Sequence, residues 1–395
     1  MKLFECGFCG QPLYFENDHC ESCGHRLGFV PSRMELVPLE PAQASPDASG
    51  DGWRGDKAAV QAPGVAWAIA GSPGQRFRFC ANGELGSCNW LLSPDDPGRY
   101  CLACRHNRTV PALSKGENLR RWRRIEQAKH RLFYTLILLH LPLTTRSEDP
   151  GEGLAFDFLD DDAPSAAKIM TGHDHGLITL NIAEADDAER ERRRQSMGEA
   201  YRTLLGHFRH EIGHYYWDRL VRDDPAALGR FRRIFGDERQ DYEGALMAHY
   251  ANGAPPCWRD RFVTVYASAH PWEDFAETWA HYLHIVDTLE IASAFGLSLE
   301  PRIARGKELS AKIDFDPSRI LGIGAMMRDW LPLTLAVNSL NRGMGQPDLY
   351  PFVLSPEVVG KLGFIHELVH GSLAPRTDET ANIAPSIAQP QPAPA

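Results

Sequence analysis

His210 and His214 stand four positions apart in the stretch Phe208-Arg209-His210-Glu211-Ile212-Gly213-His214-Tyr215-Tyr216-Trp217. On a helix that spacing puts both imidazoles on one face, where they can reach a single metal ion. Glu211, one position after the first histidine, can contact a metal-bound water and accept its proton. A catalytic zinc needs a third protein ligand and an open position. Trp217 and Leu220 occupy the downstream positions where the extended metzincin pattern has Gly and His, so the third ligand must come from elsewhere. Asp237, Glu238, His249, Glu273 and Asp274 are all candidates by residue type. Glu273 and Glu277 are four apart and share a helix face, so one could bind metal while the other accepts a hydrogen bond from a ligand histidine. The same five-residue pattern recurs at His366-Glu367-Leu368-Val369-His370. Little chain follows that second copy, and it is expected to be an ordinary terminal helix.

Eight of the nine cysteines form two groups of four. Cys6, Cys9, Cys20 and Cys23 make two CxxC turns, the second followed by Gly24, and two such knuckles complete the four-sulfur shell that zinc prefers. Cys80, Cys88, Cys101 and Cys104 are less regular, with a single CxxC, and also suit one zinc. Cys257 is left over and is expected to be a packing residue.

The elements that must position these groups are legible in outline. Residues 118–141 carry helical periodicity through Leu119, Trp122, Ile125, Leu132, Phe133 and Leu136. The cluster Arg120, Arg121, Arg123, Arg124, Lys129 and Arg131 on it reads as a solvated face. Residues 176–182 read as one strand. The remainder to about His370 reads mostly as helix. Pro and Gly among Ala, Ser and Asp make 31–75 a flexible linker or insertion, and 375–395 a disordered tail. The expected organisation is a zinc ribbon over 1–30, that linker, a second four-cysteine module over 76–112, a catalytic domain over 113–374, and the tail. His173 and His175 precede the strand and read as loop residues. His270, His281 and His284 surround the second carboxylate helix and read as buried or solvated rather than chemical.

The chain has 395 residues, 43% hydrophobic and 24% charged, the composition of a globular protein. With 42 basic and 52 acidic residues its net charge is −10, the wrong sign for a protein that binds by neutralising phosphates, so no nucleic acid is expected as partner. The longest apolar run, 132–143, is too short to span a bilayer and contains His140 and Pro142. No membrane association and a cytoplasmic location are expected, where thiols stay reduced and favour metal over disulfides.

The HExxH stretch followed by a distant Glu-Asp-Phe-Ala-Glu over 273–277 resembles the gluzincin metallopeptidases, in particular the active-site pattern of anthrax lethal factor and its relatives. The resemblance selects Glu273 as third zinc ligand and Glu277 as the hydrogen-bonding partner of a ligand histidine. It also implies a catalytic role for Tyr266, seven residues before Glu273. Nearly the whole chain up to the tail is similar to a family of bacterial zinc-binding metallopeptidases with an N-terminal zinc-ribbon region, which implies a reaction class and no particular substrate. The expected architecture is α+β, a zinc-ribbon region followed by a mainly helical zincin-like metallopeptidase domain. Residues 176–182 would be the edge strand along which an extended peptide docks. The expected activity is hydrolysis of a peptide or protein substrate, with one catalytic and two structural Zn²⁺ ions. A non-catalytic zinc-dependent scaffold that binds a peptide or protein is the alternative.

Overall fold

The computed structural model describes residues 1–42, 66–160, 171–190, 192, 203–302, 309–319 and 322–371. The expected tail over 375–395 lies outside them. Contacts divide the chain into two compact units, Met1–Asp186 and Asp187–Ala395.

In the first unit, the strands β1 (Phe4–Glu5) and β2 (Pro12–Leu13) pair as a short antiparallel hairpin that carries the first cysteine turn. Five strands, β3 (Arg26–Val30), β4 (Glu35–Pro41), β5 (Trp67–Ile69), β6 (Ser72–Phe79) and β7 (Leu91–Leu92), follow as an antiparallel sheet in chain order. Val30, Val37, Leu39, Trp67, Phe77 and Leu91 form its apolar core. The structure therefore corrects the reading of 31–75 as a linker, since β4, β5 and the start of β6 lie within it. Leu36, Val37 and Leu39 are buried despite the surrounding Pro and Gly. Pro38 gives up a donor, but its carbonyl still accepts from the Ala70 amide at 2.9 Å. Residues 43–65 of that span are outside those described.

Helix α1 (Gly116–Leu138) belongs to this unit and buries Trp122, Ile125, Leu132, Phe133 and Leu136, as the periodicity predicts. Its basic residues are not simply a solvated face. Lys129 is fully buried in an ion pair with buried Glu126 at 2.8 Å, Arg121 pairs with Asp186, and Arg131 with Glu16. The strands β8 (Asn107–Thr109), β9 (Ala155–Leu159), β10 (Gly172–Asp174) and β11 (Leu177–Asn181) make a mixed sheet in the order β10-β11-β9-β8. The strand predicted over 176–182 is thus β11, and it is an inner strand rather than the expected edge. It pairs antiparallel with β10 and parallel with β9. The short hairpin partner, set by the positive φ of His175 and Gly176, takes the edge instead.

In the second unit, α2 (Leu204–Trp217) carries the first HExxH copy and starts at Thr203, whose side chain accepts from the Gly206 amide. The helices α3 (Pro225–Ile234) and α4 (Tyr242–Asn252) precede the long α5 (Pro271–Ala294), which has Pro271 in its first turn and His270 as cap. A two-stranded sheet, β12 (Ser298–Leu299) with β13 (Ala311–Lys312), then leads to α6 (Ile323–Gly343) and α7 (Pro356–Val369). The core gathers around α5, whose Phe275, Trp279, Tyr282, Leu283 and Val286 are all fully buried. α2 crosses α5 at Gly213, where an added Cβ would stand 3.0 Å from the Cα of Ala276. Among the described residues no helix is long and apolar enough to cross a membrane.

Candidate metal centres

Tetrahedral zinc with sulfur ligands at about 2.3 Å separates those sulfurs by about 3.8 Å, far beyond the ~2.05 Å of a disulfide. In the first group Cys6 and Cys23 sulfurs are 3.8 Å apart and Cys9 and Cys20 sulfurs 3.6 Å apart. All four lie within 4.8 Å of one another. Gly10 and Gly24 close the two CxxC turns with φ of 75° and 76°, and their amides donate to the Cys6 and Cys20 carbonyls at 2.8 Å. Cys80, Cys88, Cys101 and Cys104 are likewise gathered, with Cys88 and Cys101 sulfurs 3.7 Å apart. All are free thiols. The donor chemistry and spacing of both groups fit zinc.

The second unit holds the third constellation. Nitrogen and oxygen ligands at about 2.0–2.1 Å from a tetrahedral zinc stand about 3.3 Å apart. His210 Nε2 and His214 Nε2 are separated by 3.2 Å, His210 Nε2 and Glu273 Oε2 by 3.1 Å, and His214 Nε2 and Glu273 Oε2 by 3.5 Å. Glu273 is 1% exposed, and its Oε2 accepts no hydrogen bond among the described residues. A carboxylate oxygen buried that way is costly without a cation. His210 Nδ1 lies 2.6 Å from Glu277 Oε1, an acceptor, so the ring proton sits on Nδ1 and the Nε2 lone pair faces the other two donors. Thr264 donates to the second oxygen of Glu277 at 2.6 Å. The site accommodates a metal ion with the donor set that zinc takes.

Glu211 is 5% exposed, with His207 Nε2 at 3.2 Å from its Oε1. Burial pushes its carboxyl up, but the hydrogen bond from His207, with the field of the surrounding imidazoles, outweighs this and holds it below the ordinary range. It is a carboxylate at neutral pH. Tyr266 lies on a single turn, Tyr266–Ser268, with its ring centroid 5.8 Å from that of His210. Burial, then the nearby charges of Glu273 and Tyr242, push its phenol up, so it keeps its proton.

Sequence reasoning missed several partners. Tyr242 donates to Glu273 Oε1 at 2.6 Å, leaving Oε2 as the free donor. Trp272 packs on the His214 ring at 3.9 Å between centroids. His207 and Thr264 complete the set. Tyr242, Trp272 and Thr264 act through tertiary contacts, and only His207, four residues before Glu211 on the same helix, had a spacing that could have revealed it. His130 of α1 was missed in the same way: its Nε2 is 3.2 Å from the Cys88 sulfur.

The remaining candidates serve structure. His173 Nε2 accepts from the Gly176 amide within its hairpin. His270 caps α5 through the Trp272 amide, His281 Nδ1 lies 2.7 Å from the Tyr350 hydroxyl, and His284 contacts Arg209. In the second HExxH copy, His366 and His370 flank the Tyr282 hydroxyl at 3.0 and 3.4 Å, and Glu367 pairs with Arg230. Cys257 is not a packing residue. It is exposed, in a left-handed turn with φ of 60°.

A family model described as "Putative zinc-binding metallo-peptidase" matches residues 118–368, and one described as "zinc-ribbon domain" matches residues 3–115. Uncharacterized proteins of Mycobacterium bovis and of two Mycobacterium tuberculosis strains are 41% identical to the chain over 369 residues, covering 93% of it and 95% of each relative. No solved structure matches.

Proposed function

The chain belongs to this zinc-binding metallo-peptidase family, and from that premise we propose that it hydrolyses peptide or related amide bonds in a peptide or protein substrate. The centre is of gluzincin type, with His210, His214 and Glu273 as ligands in a zincin-like fold. The observation that carries this reading is the triangle of three donor atoms at tetrahedral spacing beside the buried Glu211.

Zinc held by these three residues supplies a Lewis acid that acidifies water and polarises a carbonyl. Glu277 fixes the proton on His210 Nδ1 and so keeps Nε2 available, while Tyr242 fixes Glu273 by its other oxygen. Glu211 takes the proton of the attacking water and hands it to the nitrogen of the departing amine. Tyr266, protonated at neutral pH, donates to the oxygen on which negative charge develops. The two cysteine groups each hold a structural zinc.

The test is a digest of a mixed-peptide pool by zinc-loaded wild type and Glu211→Gln, with zinc measured in both. Loss of cleavage by about 10²–10⁴-fold with zinc retained is the expected result. No cleavage by zinc-loaded wild type would remove the hydrolase reading and leave a zinc-dependent peptide-binding scaffold.

A further inference from the structure

Each cysteine group has an imidazole against a sulfur, but His25 of the first, with Nδ1 3.2 Å from the Cys23 sulfur, is only half-buried, whereas that of the second is buried and reaches three sulfurs. His130, buried on α1, has Nδ1 2.6 Å from the Glu126 carbonyl oxygen. A carbonyl only accepts, so Nδ1 carries the proton and, in the neutral ring, Nε2 presents its lone pair. That atom lies 3.2 Å from the sulfur of Cys88, 3.6 Å from that of Cys104 and 4.0 Å from that of Cys101. It therefore lies beside three of the four sulfurs and nearest to that of Cys88. A shift on the order of 1–2 Å would bring it to the zinc–nitrogen distance of ~2.0–2.1 Å.

The four thiols are also unequal. Cys80, Cys101 and Cys104 are buried, while Cys88 is partly exposed. Cys88 and His130 both line a cavity of about 280 Å³, together with Arg26, Phe79 and Arg123. The thiol most accessible to a small reagent is thus the one nearest the imidazole.

We propose that the second zinc site has five donors for four positions, with Cys88 the exchangeable thiolate and His130 the ligand that replaces it. When the Cys88 sulfur dissociates, the Nε2 lone pair of His130 takes the vacated position. The site passes from four thiolates to three thiolates and one imidazole without losing its ion. The released thiolate can then react with a small electrophile that enters the cavity. None of these residues belongs to the proposed hydrolytic centre, so the inference stands or falls independently of it.

The test uses the full zinc-loaded chain. After mild chelation has stripped the hydrolytic centre, native mass spectrometry counts the zincs that remain. Two are expected in wild type, in His130→Ala and in Cys88→Ala, and one in the double variant Cys88→Ala/His130→Ala. A folded Cys88→Ala chain that holds only one zinc overturns the proposal. Alkylation of folded wild type with iodoacetamide, in which the Cys88 sulfur forms a C–S bond and iodide departs, gives the answer without a cysteine substitution. The expected result is carbamidomethylation at Cys88 ahead of Cys80, Cys101 and Cys104, with both zincs kept in wild type and one lost in His130→Ala. Loss of a zinc from alkylated wild type, or Cys88 reacting no faster than its three partners, would overturn the proposal and leave His130 a packing neighbour of the sulfurs.

Discussion

Gly213 lies between the two histidines of the first HExxH copy and sets how closely α2 approaches the helix that bears Glu273 and Glu277. In Gly213→Ala the new Cβ would stand 3.0 Å from Ala276 Cα, 3.2 Å from Ala276 O and 3.2 Å from Trp279 Cβ. None of these atoms can rotate away. Comfortable carbon contacts begin near ~3.5 Å, so the helices must part by roughly half an ångström at the crossing. Two effects oppose each other in the metal-free chain. Alanine favours the helix by about 1 kcal/mol over glycine, while overpacking costs about 1–3 kcal/mol. Overall stability should therefore change little or fall by at most about 2 kcal/mol. The proposed hydrolytic centre has no such compensation. Its donor spacings of 3.1–3.5 Å already match a zinc tetrahedron, and metal sites tolerate distance errors of only about 0.2 Å. If the crossing strain is relieved at this site, zinc affinity falls by the same ~1–3 kcal/mol, roughly fivefold to 150-fold. Chelator competition on wild type and Gly213→Ala, beside denaturant unfolding of both metal-free chains, makes the comparison. A folded variant with wild-type affinity would refute the idea that this glycine sets the geometry of the ligands.

Lys361→Met removes the cation 2.7 Å from Asp274, a pair in which both side chains are at most 2% exposed. The cost should lie near the lower end of ~3–5 kcal/mol, because burial already pushes Asp274 up to about 7 and a proton can neutralise it; chemical denaturation should show a larger loss at pH 8.5 than at pH 6. Burial also lowers His281 to about 4 from its ordinary 6.5. Between these values the unfolded chain binds a proton that the native chain does not, so this contribution to stability is complete above pH 6.5 and is lost as pH falls toward 4. The loss is about 3 kcal/mol, and a His281→Gln variant should show a correspondingly shallower decline in unfolding titrations. Metal analysis of the freshly purified protein should find three zincs per chain, one removed by mild chelation together with activity; a count unchanged by chelation would argue against an accessible third ion.

The sequence pointed to the clusters whose candidate ligands lie close along the chain. The two CxxC knuckles and the His210–His214 pair need only a turn and a helix, so spacing alone found them. Glu273 is different, since several acidic residues were equivalent until a family resemblance singled one out. Tyr242, Thr264 and His130 carried no mark at all, because each is defined by the partner that folding brings to it. The strands β4 and β5 were hidden for another reason. Averaged over a window, Pro38, Pro41 and the glycines outweighed Leu36, Val37, Leu39 and Trp67, yet these few apolar side chains suffice to build the sheet. Cys257 misled because cysteine is usually buried.

The matched peptidase segment begins at residue 118, inside helix α1, and α1 is part of the unit that contains both cysteine groups. Tyr134 of that helix packs against Phe15 and Phe29, with ring centroids 5.4 and 6.0 Å away, and His130 adjoins the second cysteine group. Excising everything before residue 118 would keep the family segment whole and yet lay bare an aromatic face that needs the ribbon to cover it. What reads as two modules end to end shares a helix at the seam, so neither half can be transplanted without carrying part of the other.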